Sequence, residues 1–357
     1  MLAAVMMLSV GACSKPVDTD ETTTEPVSAQ EITQAIQETE PTDKIAQRFE
    51  PIYDIAQAES VKELIKEWAT NGGDKLSSPD ITNILLVGED DVDGSSRSDA
   101  AILMSIDRKA KKITLTSFLR DSYTYMNIKG QDRYDKTNHT YSWSGPEKLA
   151  EVLSDNYKIR IDRYVTVDYE AFIKAVDVIG GIRVEVTEAE ADYMNRTSGG
   201  NSYRSGQSVL LDGEQALYFA RIRKLDGEAE RTERQRRIIK AYMTKLRSSS
   251  QEEVQNALGT LLPYITTDYT ELELLSLAGE AMSGEWLGFD IVSQVAPADE
   301  YRRGFSGYKT HTGNLDVWIV DYIAAAREVQ LSVYGETNII LEDGRISAID
   351  LAENGKY

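Results

Sequence analysis

The residues with the clearest capacity for chemistry lie in the arginine-rich segment from Ala220 to Tyr242. From Arg231 onward, side chains three and four positions apart form one stripe, which predicts a helix with one distinctive face. The stripe comprises Arg231, Arg234, Gln235, Ile238, Ile239, Tyr242, Met243 and Leu246. Its apolar part should face a core, so its polar part must point into the interior or into a cleft at the rim.

Guanidinium groups at such positions need anionic partners, because an unpaired charge is costly to bury. One interpretation is an internal ion-pair network with the neighbouring glutamates, namely Glu228, Glu230 and Glu233. The other is a binding site for an external anion. A short predicted helix from Leu211 to Arg223 adds Arg221 and Arg223, and planar guanidinium groups suit phosphate recognition. The sequence therefore favours the anion site.

A second set of capable residues follows the first predicted strand. The sequence from Gly88 to Asp99 is rich in carboxylates and small residues, and it includes Asp90, Arg97 and Asp99. Carboxylates at the end of a strand can hold a hard cation such as Mg²⁺ through oxygen ligands. A solvated acidic loop explains the same composition, so both interpretations stay open at this point.

Two further polar stretches come next in the chain. The third predicted strand ends in Arg120 and Asp121, and such a pair is often only a structural salt bridge. The stretch from Tyr134 to Tyr141 carries many hydrogen-bonding groups around His139. We interpret this histidine as structural rather than catalytic.

The elements that must position these residues alternate along the chain. Apolar runs predict strands at residues 81–87, 101–106, 113–118, 164–167 and 182–186. Helical patterns occupy 51–70, 146–156 and 169–178, and a mostly helical stretch follows residue 246 and continues through residue 281 before a mixed tail. This alternation predicts a layered α/β or α-β-α domain, without fixing the order of its strands.

Composition argues against several classes of function. The 357-residue chain has a net charge of −20 and a pI near 4.6, which argues against nucleic acid as a partner. With only two histidines, His139 and His311, it is a poor candidate for a histidine-rich metal site. Its single cysteine, Cys13, excludes an intramolecular disulfide.

The N-terminal residues resemble a targeting segment. Residues 1–12 are small and apolar but too few to span a bilayer, and they lead into Gly11-Ala12-Cys13. This pattern resembles a bacterial lipoprotein cleavage box, with Cys13 as the lipidation site. A chance cysteine in a truncated signal or membrane anchor is the alternative, and the lack of Lys or Arg before the apolar run indicates a misplaced start codon in either case. The acidic sequence from Ser14 to Asp43 predicts a disordered tether.

Together these motifs resemble those of the LytR–CpsA–Psr family. Eight stretches carry the resemblance in order: Asn83–Asp90, Arg97–Asp99, Ser117–Asp121, Lys136–Tyr141, Val178–Val184, Leu211–Tyr218, Ala220–Arg223 and Arg231–Gln235. The resemblance is strong over residues 82–246 and looser beyond. One departure is that Glu228 and Glu230 stand where an aspartate is usual.

The resemblance implies a phosphotransferase that moves a glycopolymer from a polyprenyl-pyrophosphate carrier onto peptidoglycan, typically with Mg²⁺ or with Mn²⁺ in its place. It implies that Asp90 and Asp99 hold the metal and that the lipid enters an apolar pocket. The predicted substrate contacts are Arg97, Arg120, Asp121, Arg221, Arg223, Arg231, Arg234 and Gln235. The predicted catalytic residues are Asp99, Arg120, Arg231 and Gln235. Arginines and a cation would neutralise the phosphate oxygens, and Asp99, or less favourably Asp121, would accept the proton of the attacking hydroxyl.

We predict five segments in the chain: a signal-like segment (1–13), the tether (14–43), a helical segment (44–80), an α-β-α catalytic domain with a central mixed sheet (81–250), and a mainly helical extension with a mixed tail (251–357). The expected location is the outer face of a bacterial cell membrane, with an N-terminal anchor at the membrane surface. Two alternatives are a non-catalytic envelope protein that binds polyprenyl-phosphate-linked polymers and a pyrophosphatase that acts on them. The presence of both Asp90 and Asp99 favours the transferase.

Overall fold

The computed structural model describes residues 54–92, 95–198, 202–283 and 286–357. Its strands are β1 (Ile81–Val92), β2 (Ser95–Asp107), β3 (Lys112–Phe118), β4 (Tyr123–Ile128), β5 (Gln131–Lys136), β6 (Arg163–Val167), β7 (Ile182–Val186), β8 (Gly206–Leu211), β9 (Ile265–Thr267), β10 (Asp290–Ala296), β11 (Arg302–Lys309) and β12 (Asn314–Val320). Its α-helices are α1 (Val61–Asn71), α2 (Thr137–Tyr157), α3 (Tyr169–Val178), α4 (Glu188–Ser198), α5 (Gly213–Arg221), α6 (Glu228–Arg247), α7 (Gln251–Leu261), α8 (Glu271–Met282), α9 (Tyr322–Tyr334) and α10 (Ala348–Glu353).

Six strands form a central mixed sheet in the order β10-β3-β2-β1-β6-β9. Strand β1 is parallel to β6, and β3 is parallel to β10, while the remaining neighbours are antiparallel. Three two-stranded ribbons, β4-β5, β7-β8 and β11-β12, complete the strand structure of the described residues.

Strand β1 shows why the sheet lies between two layers. Ile84 and Leu86 belong to one hydrophobic core, and Leu85 and Val87 belong to the other. Successive strand residues point to opposite faces, so a strand covered on both sides needs an uninterrupted apolar run. The prediction of an α-β-α domain with a central mixed sheet is therefore confirmed.

The two layers have different contents. The first core gathers residues from α3, α5 and α6, from the β7-β8 ribbon, and from α7 and α8. The second core gathers residues from α1, α2, α9 and α10 and from the β11-β12 ribbon. The arginine-rich helix α6 belongs to the first layer, so the functional residues predicted on it lie on that side of the sheet.

The C-terminal part of the chain completes the sheet. Strand β10 pairs with β3 from Asp290↔Lys112 to Ala296↔Phe118, and β9 pairs with the outer side of β6. Both edge strands thus come from the part predicted as a mainly helical extension. Helices α7 to α10 are present there as expected.

Some elements differ from the sequence-based prediction. The β4-β5 ribbon, α4 and β8 were not expected, because their short strands and polar helix give weak periodic signals. Helix α2 begins at Thr137, within a stretch expected to be merely polar. It is kinked at Gly145, which has a φ of 75° and precedes Pro146. The helix predicted at 146–156 is the part that follows this kink.

Across the described ranges, each helix is too short or too polar to cross a bilayer. Cys13 and the predicted tether at 14–43 lie outside the described residues.

Candidate functional site

The candidate site lies at one edge of the central sheet. Strands β1, β3 and β6 run in the same direction, so their carboxyl ends meet there. They carry Asp90 at the end of β1, Arg120 and Asp121 just after β3, and Tyr169 just after β6. The antiparallel strand β2 starts at the same edge and carries Asp99. The fold thus brings residues far apart in sequence into one cluster.

The Tyr169 hydroxyl joins the two predicted metal ligands. It donates its single proton to Asp99 Oδ2 at 3.3 Å, and the carboxylate of Asp90 is a second acceptor beside the same hydroxyl. Burial, the hydrogen bond to Asp90 and the negative charge of Asp99 raise the pKa of the Tyr169 hydroxyl, so it keeps its proton. The carboxylates of Asp90 and Asp99 therefore converge on a single point.

Three arginines surround one carboxylate, that of Glu228 at the start of α6. Arg223 Nε lies 3.1 Å from Glu228 Oε2, and Arg231 Nε lies 3.2 Å from the same oxygen. Arg120 Nε lies 3.7 Å from Glu228 Oε1, and Arg120 also pairs with the carboxylate of Asp99. The internal ion-pair network, which was the alternative to an external anion site, is thus present, and three arginines share Glu228 as their partner.

Arg221 reaches the cluster from the end of α5. Its guanidinium lies 4.4 Å from the centre of the Tyr169 ring, and its Nη2 lies 3.8 Å from Asp90 Oδ2. Helix α5 packs closely on α3 at Gly213. A Cβ at this position would lie 2.4 Å from the carbonyl oxygen of Ile173, so the close approach requires a glycine. Gly213, which belongs to the Leu211–Tyr218 motif, thereby determines the position of Arg221 at the end of α5.

An apolar pocket adjoins the arginines, between the sheet and helices α3, α5 and α6. Its charged and polar lining includes Asp99, Arg221, Arg231 and Gln235. Its apolar lining includes Ile102, Val167, Phe172, Val176, Leu217, Ile238, Ile239 and Tyr242. Arg221 is exposed while Ile239 and Tyr242 are buried, so the pocket leads from the surface into the first core. The stripe predicted on α6 supplies one wall of this pocket.

Two of the predicted substrate contacts, Arg234 and Arg97, are not among the arginines grouped around Glu228. Arg234 is fully buried, and its Nε donates to Glu190 Oε1 at 2.8 Å while its Nη1 donates to the carbonyl of Ile222 at 2.9 Å. Its Nη2 pairs with Asp226, so Arg234 fastens α6 to α4 and to the turn after α5. Arg97 pairs in register with Asp90, but its side chain is exposed.

Asp121 lies beside the cluster, whereas His139 contacts a buried aspartate, Asp135. Asp121 lies 2.8 Å from Lys136 Nζ and 3.8 Å from Arg223 Nη2. His139 Nδ1 lies 2.9 Å from Oδ1 of the fully buried Asp135. Burial alone would raise the pKa of the Asp135 carboxyl, but hydrogen bonds from His139, the backbone amide of residue 136 and Thr312 outweigh it and lower that pKa to about 2.

The acidic pair offers two ligands to a metal ion. Within the part of the chain that the structure describes, no three His, Cys, Asp or Glu side chains group as a complete metal site. A Mg²⁺ ion is commonly held by one or two carboxylates, with substrate phosphates and water as its other ligands. Because the Tyr169 hydroxyl contacts both Asp90 and Asp99, the two carboxylates reach one point and fit this kind of site.

The site contains one residue that sequence reasoning missed. Tyr169 contacts Asp90, Asp99 and Arg221, yet no motif identified it. A signal was available, because Tyr169 directly follows a predicted buried strand, as Asp90 does. Without the strand order, the two strand ends could not be assigned to the same edge of the sheet.

Comparisons with known proteins add evidence of ancestry. Residues 28–316 match the profile of the "LytR_cpsA_psr family". The polyisoprenyl-teichoic acid–peptidoglycan teichoic acid transferase TagU of Oceanobacillus iheyensis is 37% identical over 180 residues, which are 48% of this chain and 53% of that protein. TagU of Bacillus subtilis is 32% identical over 173 residues, covering 48% and 54%. The chain thus spans about half the length of these curated relatives.

Solved structures share the fold. "TagT bound to LIIa-WTA" aligns with a TM-score of 0.59 at 21% identity, over 80% of this chain and 98% of that chain. "Crystal structure of B. subtilis TagV" aligns with a TM-score of 0.56 at 23% identity, over 73% and 100%. At such low identity the likeness extends to the architecture, and the chemistry must be argued from the residues of this chain.

Proposed function

Because this chain belongs to the LytR–CpsA–Psr family, we propose that it transfers a glycopolymer from a polyprenyl-pyrophosphate carrier onto peptidoglycan. The observation that carries the proposal is the position of the arginine cluster at the mouth of an apolar pocket. A polyprenyl pyrophosphate has the same two parts, a strongly anionic headgroup joined to an apolar chain. The relatives named TagU support the same substrate class.

The arginines would bind the pyrophosphate. Arg120, Arg223 and Arg231 now share the single carboxylate of Glu228, and Arg221 faces Asp90 at 3.8 Å. A pyrophosphate carries more negative charge than one carboxylate and offers bidentate oxygens to several guanidinium groups. We expect it to take over part of the arginine contacts that Glu228 makes.

The apolar pocket would receive the start of the lipid chain. Its volume is about 80 Å³, below the roughly 300 Å³ at which pockets for small molecules usually begin. The lipid must therefore part the surrounding helices as it enters. Burial of its apolar surface would stabilise that widened state.

Asp90 and Asp99 would hold a Mg²⁺ ion, with Mn²⁺ as a substitute. When bound, such an ion would neutralise negative charge on the pyrophosphate oxygens. The side chains of this chain do the positioning, since Arg120 fixes the Asp99 carboxylate and Tyr169 fixes its second oxygen. Gln235 lines the same pocket and can donate its amide to a phosphate oxygen.

The transfer forms one bond and breaks one. The oxygen of a sugar hydroxyl on peptidoglycan attacks the phosphorus that carries the glycopolymer, and the bond from this phosphorus to the polyprenyl phosphate breaks. Arg120, Arg221, Arg223 and Arg231 stabilise the charge on the departing phosphate. Asp99 accepts the hydroxyl proton because it belongs to the acidic pair proposed to hold the metal, and Asp121, which pairs with Lys136 and Arg223, is the weaker candidate.

The substrates proposed for this enzyme require an extracytoplasmic location at the outer face of the cell membrane. The N-terminal residues support an anchor, since Cys13 follows a short apolar run in a lipoprotein-like pattern. Acylation of Cys13 would keep the catalytic domain near a carrier that stays in the bilayer.

One experiment separates this proposal from its two alternatives. The full chain is incubated with a lipid-linked glycopolymer, labelled in its sugars, and with purified peptidoglycan in Mg²⁺. Transfer places the label on insoluble peptidoglycan, hydrolysis releases it into solution, and simple binding leaves it on the lipid. Recovery of the label only in solution or only on the lipid would overturn the proposal.

A further inference from the structure

A second groove adjoins the arginine cluster, on the side of α5 that faces α4. Its lining residues are Ile173, Tyr193, Glu214, Leu217, Tyr218, Arg221 and Ile222, and it encloses about 430 Å³. This volume falls within the roughly 300–1,000 Å³ typical of ligand sites. Leu217 and Arg221 line both this groove and the apolar pocket, so the two cavities lie next to each other beside the arginine proposed to bind pyrophosphate.

One face of α5 forms the floor of this groove. Four of the lining residues share this face, because Leu217, Tyr218 and Arg221 follow Glu214 by three, four and seven positions. From Arg221 back to Glu214, seven residues of helix extend about 10 Å. The groove therefore leads away from the phosphate-binding arginine along a defined line, instead of ending at it.

The walls suit a carbohydrate. Tyr193 and Tyr218 offer aromatic surfaces, on which the apolar faces of sugar rings can pack. The Tyr218 ring is held in place by stacking with Tyr203, with centroids 6.0 Å apart. Glu214 is exposed and can accept hydrogen bonds from sugar hydroxyls. A second lipid would find fewer apolar partners here than in the adjoining pocket.

We propose that this groove is a carbohydrate subsite, which binds the first sugars attached to the pyrophosphate. The inference rests on the proposed function, because Arg221 would hold the phosphate from which these sugars extend. The lipid then leaves the arginines into the apolar pocket, and the sugar chain leaves them along α5. The lipid end of the substrate thereby occupies the apolar pocket, and its sugar end occupies the more polar groove along α5.

The test compares ligands with and without sugars. Binding of polyprenyl pyrophosphate, of a polyprenyl-pyrophosphate-linked disaccharide and of a soluble peptidoglycan tetrasaccharide is measured by calorimetry on the full chain. Tyr193→Ala should weaken binding of the lipid-linked disaccharide by about tenfold, the size of one lost aromatic contact. It should leave binding of polyprenyl pyrophosphate unchanged. Glu214→Gln, at an exposed position that does not threaten folding, should act in the same direction more weakly.

The control variant changes a tyrosine elsewhere on the surface. Tyr264→Ala removes an exposed tyrosine outside the groove and should change none of the affinities. If the groove variants weaken binding of the soluble tetrasaccharide and not of the lipid-linked disaccharide, the groove is still a carbohydrate subsite, but its occupant is the acceptor glycan. If both groove variants bind every ligand as the wild type does, the inference is overturned. A failure of the proposed function looks different, since the wild-type chain would then transfer no polymer.

Discussion

Arg231 donates through Nη2 to the backbone carbonyl of Asp99 at 3.0 Å. This hydrogen bond joins the arginine-bearing helix α6 to β2, which carries one of the two predicted metal ligands. The carboxylate of Glu228 accepts from Nε and Nη2 of the same guanidinium. The positively charged and negatively charged halves of the site are therefore fixed relative to each other before any substrate binds.

The first prediction concerns Arg231. Arg231→Ala should lower transfer at least about a hundredfold, because the loss of one donor that stabilises developing charge usually costs that much. Folding should survive, since Glu228 keeps its contacts with Arg120 and Arg223. Arg120→Ala should lower transfer to a similar extent for the same reason. The measurements are the transfer assay and thermal unfolding.

Arg234→Ala is the matched control on the same helix. It would remove the buried partner of Asp226 and one of the two arginines that hold Glu190, which keeps its pair with Arg237. It should therefore lower the free energy of unfolding by about 1–3 kcal/mol. An Arg231→Ala enzyme with near-normal transfer would show that the arginine cluster is not the phosphate site.

The second prediction concerns the metal. Transfer should fall in chelator and recover with Mg²⁺ or Mn²⁺, since a diphosphate and two carboxylates together provide the oxygen ligands these ions prefer. Asp99→Asn should weaken Mn²⁺ binding, measured by electron paramagnetic resonance on the protein without substrate. Full transfer in chelator would refute a role for the metal, whatever the variant does.

Tyr169→Phe is the third prediction. The change removes the hydroxyl that contacts Asp90 and Asp99 but keeps the ring beneath Arg221. Mn²⁺ affinity should fall at least about tenfold, the size of one lost hydrogen bond to a charged group. Tyr169→Ala also removes the support for Arg221, so it should weaken pyrophosphate binding as well. Equal behaviour of the two variants would mean that the ring has no role.

The sequence was informative about layers and about local spacing. The uninterrupted apolar run of β1 predicted a strand buried on both faces, and three- and four-residue spacing predicted that Arg231, Gln235 and Ile238 share a surface. Both inferences depend on periodicity, which is a local property of the chain.

Partners distant in sequence could not be predicted in the same way. Arg234 looked equivalent to Arg231, but it points to Glu190, whose location depends on how α4 packs against α6. Tyr169 enters the site because β6 lies beside β1, and strand order is a property of the whole fold. Helix α4 is largely polar and buries few apolar residues, so its periodic signal was too weak to reveal Glu190.

The fourth prediction concerns stability and pH. Burial, together with the charge of Glu300, raises the pKa of Glu328 in α9 from 4.5 to about 7. Between these values the unfolded chain releases a proton that the folded protein keeps, so rising pH removes stability over this window. Glu328→Gln should therefore raise the free energy of unfolding on the order of 2 kcal/mol at pH 8. The gain should vanish near pH 4, as urea unfolding at the two pH values would show. An equal increase in the free energy of unfolding at both pH values would indicate a packing effect and not an effect of ionisation.

The last prediction concerns the membrane anchor. A carrier lipid in the bilayer can be reached only by an enzyme kept near the membrane, and two or more acyl chains suffice for stable attachment. Cleavage before Cys13 and acylation of its sulfur would provide them. The acidic segment from Ser14 to Asp43, as a coil, would span roughly 30 Å, which lets the catalytic domain meet the adjacent cell wall. Cys13→Ser should thus release the protein from the membrane fraction, with mass spectrometry of the mature N-terminus as the second readout. An unmodified Cys13 inside a longer uncleaved hydrophobic helix would instead establish a transmembrane anchor.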